Sequence, residues 1–310
     1  MSPTTERYDS NSDEASRRKT RSLYIVRHFC GKLSLGVAFW INYVGGLFIF
    51  ALGSKLLVSA LGGFSLITSS YLYLSFSLLI AIAIPWLMIG VWRSASKHVA
   101  LGGRRLWGLL AKVIILASLY DVGRLIIFQT IPMAGVYFGI ITGDKDISPY
   151  GVIVHSEGAI IQFRGGLRAG AEQEFKKQLE TSARIRVLQI ESDGGRLKEG
   201  MRIGALIRKA GLVTVVSTHC KSAAIFLFIA GNERIVTRGA KIGFHRPSGI
   251  GSTDAEYENV QRFMEQAGIA KNFIDRTLST SSDEMWYPTY DEMLQAGVVT
   301  GELVDGKIRR

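Results

Sequence analysis

The chain has 310 residues, 47% of them hydrophobic, with a mean hydropathy of +0.20 and a formal net charge of +11. Residues 1–142 carry 14 Lys/Arg against 5 Asp/Glu, and residues 143–310 carry 23 against 21, so the excess sits in an apolar N-terminal half, where positive charge sets membrane topology. That distribution, without aromatic-basic interleaving, argues against a nucleic-acid partner, and the two cysteines, Cys30 and Cys220, offer no zinc spacing.

Residues 1–32 are polar and basic, with Arg17-Arg18-Lys19-Thr20-Arg21 near the middle. They read as a disordered cytoplasmic tail. Residues 33–135 hold three membrane-length segments, roughly 33–54, 71–92 and 106–131. Gly36, Gly45, Gly46 and Gly53 give the first a small-residue packing face. Pro85 interrupts the second, and the third contains Lys112, Asp121 and Arg124. Arg27 and Lys32 precede the first segment; Arg93, Lys97, Arg104 and Arg105 separate the second from the third; only Lys55 lies between the first and second. The positive-inside rule therefore puts the N-terminus in the cytoplasm and everything after about residue 135 outside it. In a bacterium this is a multi-pass inner-membrane protein with a periplasmic C-terminal domain, and its two cysteines lie on opposite sides of the bilayer.

Residues 136–150 read as a linker, and 151–310 as a second domain with an α/β pattern. Strands are predicted at 152–154 and 159–163, joined at Ser156-Glu157-Gly158, and a helix at 171–182. A strand at 187–195 ends in Gly194-Gly195, and a helix follows with Leu197, Met201 and Ala205 at four-residue spacing. Next come a strand at 212–216, a short helix at 225–230, and strands at 234–236 and 241–245. A long helix at 253–278 and a final helix and strand within 291–304 complete the pattern, which indicates a parallel sheet with crossover helices.

Ser222 sits where a strand gives way to the helix at 225–230, which is apolar on every face and so expected to be buried. Free N–H groups and the positive end of the helix dipole gather there, which suits either a helix cap or a nucleophile beside an oxyanion site. Gly194-Gly195 lets the backbone approach a bound group closely, and His245 ends a strand downstream. Glycine pair, serine, histidine is a workable order for oxyanion loop, nucleophile and base.

Five stretches carry a resemblance. They are Ile190-Glu191-Ser192-Asp193-Gly194-Gly195, Ser222-Ala223, Ala230-Gly231, Gly243-Phe244-His245-Arg246-Pro247 and Ala296-Gly297-Val298-Val299. Together they make residues 151–304 resemble the Clp protease proteolytic subunit and its membrane-bound relatives, within the crotonase-like fold. The resemblance implies an α/β spiral of ββα units and a membrane-anchored serine peptidase without metal or cofactor. Ser222 would be the nucleophile, His245 the base, and the N–H groups of Gly195 and Ala223 the oxyanion hole. Asp193 stands where the family often has proline. The family's acid falls at Met285 in an ungapped reading, which leaves Asp283, Glu284 or a plain Ser–His dyad. Peptide or membrane-protein substrates, a lipid bilayer and a homo-oligomer are the implied partners. His219 as a second base, and Lys221 in a Ser–Lys dyad, are the local alternatives. A thioester-processing enzyme and a non-catalytic scaffold are the functional ones.

Overall fold

A computed structural model describes residues 23–155, 157–248 and 254–310. The expectations for the tail up to residue 22, for Ser156 and for the helix start at Thr253 lie outside the described residues. The chain forms two compact units. One comprises the residues up to Ala60 with Ser75–Gln129, and the other comprises Leu61–Leu74 with Thr130–Arg310.

In the first unit a short helix α1 (Tyr24–Phe29) lies within the stretch expected to be a tail. Its buried His28 explains why it is ordered: Nε2 lies 3.2 Å from the Leu87 carbonyl oxygen and Nδ1 2.9 Å from the Asn42 amide. Helix α2 (Val37–Leu61) opens with a π-helical stretch, and α3 is Leu66–Ala100. Among the described residues these two helices are long and apolar enough to cross a membrane. The expected third span is a helix, α4 (Arg105–Leu125), but Lys112, Asp121 and Arg124 lower its apolarity. Of the glycines expected to share a face, Gly46 and Gly53 meet α3: a Cβ would lie 2.8 Å from the Leu87 side chain or 3.2 Å from Phe76. Gly36 faces open space.

A π turn at Ile126–Thr130 closes the first unit, and the second resumes at Thr130 with α5 (Ile131–Ile141), which reaches into the expected linker. Pro132 lacks the N–H that an unbroken α register requires, and the preceding turn is widened.

The sheet-forming elements follow in the expected alternation. They are β1 (Tyr150–Val154), β2 (Ile160–Gly165), α6 (Ala171–Leu179), β3 (Val187–Ser192), α7 (Leu197–Ala210) and β4 (Val213–Lys221). A 3-10 turn, Ser222–Ala224, leads to α8 (Ile225–Ile229). Then come β5 (Arg234–Thr237), β6 (Lys241–Gly243), α9 (Asp254–Gln266), α10 (Lys271–Ser279), α11 (Tyr290–Gln295), β7 (Gly301–Val304) and β8 (Lys307–Arg309). Among the described residues, eight strands make one mixed sheet in the order β1-β2-β3-β4-β5-β7-β8, with β6 beside β4. The interior pairs are parallel, and β1–β2 and β7–β8 are antiparallel. One outer strand, β1, leaves Ile153 exposed; the other, β8, is exposed throughout and carries Lys307 and Arg309.

Strand β4 runs further than the apolar pattern predicts. Its first half pairs with β5 from Thr214 to Val216, and its second half pairs with β6 from His219 to Lys221. This fork brings the ends of β4 and β6 together. Every residue of α8 is buried, as its composition requires, within a core that includes Phe163, Phe175, Phe228 and Phe244. The predicted helix at 253–278 is two helices. Gly268, at φ +77°, ends the first, and the Ile269 N–H reaches back to the Met264 carbonyl at 3.1 Å, a left-handed C-terminal cap.

Candidate active site

Ser222 has φ +52°, a left-handed backbone that L side chains enter at a cost of ~1–3 kcal/mol. The turn lifts its side chain off the end of β4, towards His245 just beyond β6. Ser222 Oγ lies 2.7 Å from His245 Nε2. The ring is half-buried, and burial lowers its pKa below the ordinary histidine value, with the Arg246 backbone offsetting part of the shift. A neutral imidazole in contact with a hydroxyl has the geometry and charge state of a general base.

Gly194 (φ +97°) and Gly195 (φ +139°) lie against this turn. A Cβ on Gly194 would fall 2.7 Å from the Ser222 Cβ and 3.1 Å from the Ala223 nitrogen, so glycine is required by space as well as by conformation. The Leu167 N–H donates to the Gly194 carbonyl at 2.7 Å, and the Arg196 N–H donates to the Leu167 carbonyl at 2.8 Å. The Gly195 N–H makes no loop hydrogen bond among the described residues, and Ala223 follows Ser222 in the 3-10 turn, at the kind of element start where N–H groups can face an oxyanion.

Two buried carboxylates that the sequence reading passes over hold this loop's surroundings. Asp144 pairs with Arg196 and accepts from the Ala169 N–H at 2.9 Å. Glu199 accepts from the Glu172 N–H at 2.7 Å at the start of α6, and burial raises its pKa. Their partners are distant in sequence, so no local signal marks them. The close packing of α7 does have a signal, the four-residue spacing of Gly200 and Gly204. A Cβ on either would fall 2.4 Å from the Ala223 carbonyl oxygen or 2.6 Å from that of Phe226.

Lys221 and His219 share one face of β4, and both turn to Asp193, at 2.8 Å and 3.4 Å. The hydrogen bond to Asp193 raises the Lys221 pKa, which keeps the ammonium charged and unfit as a base for Ser222. Cys220 points the other way into the core, and burial pushes its thiol pKa far up. Both cysteines are free thiols.

Asp283 and Glu284 are not brought to His245. Phe244 and Trp286 exchange two backbone hydrogen bonds of 2.9 Å, which fixes the register of the 283–287 segment. In that register Met285 packs on Gly243, while Asp283 and Glu284 are exposed in the turn before it. His245 Nδ1 is buried with no hydrogen-bond partner among the described residues. Nor do the described residues contain a group of three or more His, Cys, Asp or Glu placed to hold a metal ion.

Residues 174–285 match the family model described as Clp protease. That stretch is a relative of the Clp protease. It contains the glycine pair, Ser222 and His245, and the relationship supports a peptidase. Among solved structures, ClpP1 from Listeria monocytogenes is 20% identical over 48% of this chain and 92% of its own, with a TM-score of 0.41. A membrane-bound stomatin-specific protease, 1510-N, in a serine-to-alanine mutant form, is 17% identical over 46% of this chain and 77% of its own, with a TM-score of 0.37. Comparison with curated proteins gives no match.

Proposed function

We propose that this protein is a membrane-anchored serine peptidase. Ser222 attacks the peptide carbonyl while His245 Nε2 takes its proton and later delivers it to the leaving amine. The N–H groups of Gly195 and Ala223 hold the oxyanion, where losing one donor typically costs ~3 kcal/mol in the barrier. The 2.7 Å contact between Ser222 and His245 carries the reading. Since Nδ1 has no side-chain acid beside it among the described residues, the reaction is read as a Ser–His dyad. The fold is read as a ClpP/crotonase-like spiral behind three membrane-crossing helices, and the assembly as a homo-oligomer acting on peptide or membrane-protein substrates.

The anchor is read as inner-membrane, with the N-terminus in the cytoplasm and the sheet-bearing unit in the periplasm. Charge supports this, since Arg93, Lys97, Arg104 and Arg105 cluster between α3 and α4. So does the tip between α2 and α3, which belongs to the sheet-bearing unit. Lys198 donates to the Leu61 carbonyl at 2.7 Å, and Arg202 donates to those of Gly62 and Phe64 at 2.8 and 2.7 Å.

A fluorophosphonate probe tests the chemistry. The native protein is expected to label and Ser222→Ala is not. Equal labelling of the two, or none of either, ends the peptidase reading. The lack of an acid beside Nδ1 among the described residues favours one rival, a ClpP-like scaffold without catalysis, and an unreactive native protein is the outcome it requires.

A further inference from the structure

One charged cluster beside Ser222 takes no part in the proton transfer. Ser192 and Cys220 pair in register as β3 and β4 end, so the next residues, Asp193 and Lys221, face each other across the strands. Their side chains meet at 2.8 Å, with His219 Nε2 at 3.4 Å as a second, longer contact. Asp193 directly precedes Gly194-Gly195, and Lys221 directly precedes Ser222. The two glycines are the most permissive backbone in the site. On one side they are tied to Leu167, and on the other the Gly194 N–H reaches the Ser192 hydroxyl at 3.2 Å. Both Asp193 contacts reach from the loop to the serine's own strand, and the Lys221 pair is the shorter and the one next to Ser222.

We propose that the Asp193–Lys221 ion pair is a positioning clamp. It holds the Gly194-Gly195 loop against the Ser222 turn, so that the Gly195 and Ala223 N–H groups converge on one oxyanion. The proposal rests on Ser222 being the nucleophile. The Asp193 side chain is 64% exposed, so the pair adds little to folding stability. Its effect lies in alignment, where a displacement of about 1 Å is costly to reaction. That separates the clamp from a structural salt bridge: reactivity and stability move independently.

The test is the rate of fluorophosphonate labelling of the full-length protein in detergent, with thermal unfolding measured in parallel. Asp193→Ala and Lys221→Ala are each expected to slow labelling by about tenfold or more at an unchanged melting temperature. The double variant is expected to be no slower than the slower single, since the second change removes a tie already broken. Lys221→Arg, which keeps the cation, is expected to recover most of the rate. Single variants that label at the native rate overturn the clamp, as do effects that multiply in the double variant, no recovery with arginine, or slowing that follows lost stability. A native protein that does not label removes the nucleophile and the clamp together. A native protein that labels beside unaffected alanine variants removes the clamp alone.

Discussion

At the scale of residues, Ser222, His245 and the glycine pair are legible in the sequence because each leaves a local mark: a hydroxyl before a buried apolar helix, a histidine at a strand end, two glycines after a strand. The acid is not legible, because the segment that would carry it is positioned by the pairing of Phe244 with Trp286, which no local pattern encodes. Lys221 is ambiguous for the same reason. Only the facing of β3 and β4 shows that it turns to Asp193 and not to Ser222. The environment of His245 makes a directional prediction. Burial disfavours the imidazolium, so more acid is needed to protonate the base than in water. Labelling of Ser222 is expected to hold steady through neutrality and to fall only below the ordinary histidine value of ~6.5. His245→Ala is expected to lower the rate by ~10²–10⁴. A midpoint at or above the ordinary value contradicts the assignment; it is read from the pH dependence of the labelling rate constant.

At the scale of elements, hydrophobic periodicity finds the alternation of strands and helices but misjudges where elements stop. β4 continues to Lys221 past the polar Ser217-Thr218-His219, because β6 offers its edge a partner there. The helix expected at 253–278 is broken at Gly268, since the apolar stripe alone does not register a left-handed turn. The seating of α7 on the serine turn depends on Gly200 and Gly204. Gly200→Ala brings a methyl onto the Ala223 carbonyl, and it is expected to cost about 1–3 kcal/mol and to slow serine labelling. Gly151→Ala, where a Cβ meets nothing within 4 Å, is the control expected to leave both unchanged. Thermal unfolding compares the two, and equal melting temperatures would show that α7 has slack against the turn.

At the scale of the whole molecule, the proposed topology requires the 61–64 tip to lie on the same side as the residues that bond its carbonyls, Lys198 and Arg202. A reporter fused after residue 150 is expected to be active only when it functions outside the cytoplasm. Activity of a cytoplasm-specific reporter at that position would reverse the topology. Among the described residues, apolar length picks out two helices long and apolar enough to cross a membrane, α2 and α3, and not the third span the sequence led us to expect. The capture of the tip by α7 is not legible in the sequence, because it uses backbone carbonyls, which any sequence supplies. The mixed sheet has unlike margins: β8 presents Lys307 and Arg309, and β1 presents Ile153. Cations along a free strand repel a second copy, whereas an apolar free strand invites one. Both borders expose an isoleucine, Ile153 on β1 and Ile308 on β8, but only β8 flanks it with cations, so lateral growth of the sheet, as ordered pairing or as aggregation, is expected to meet more charge repulsion at β8.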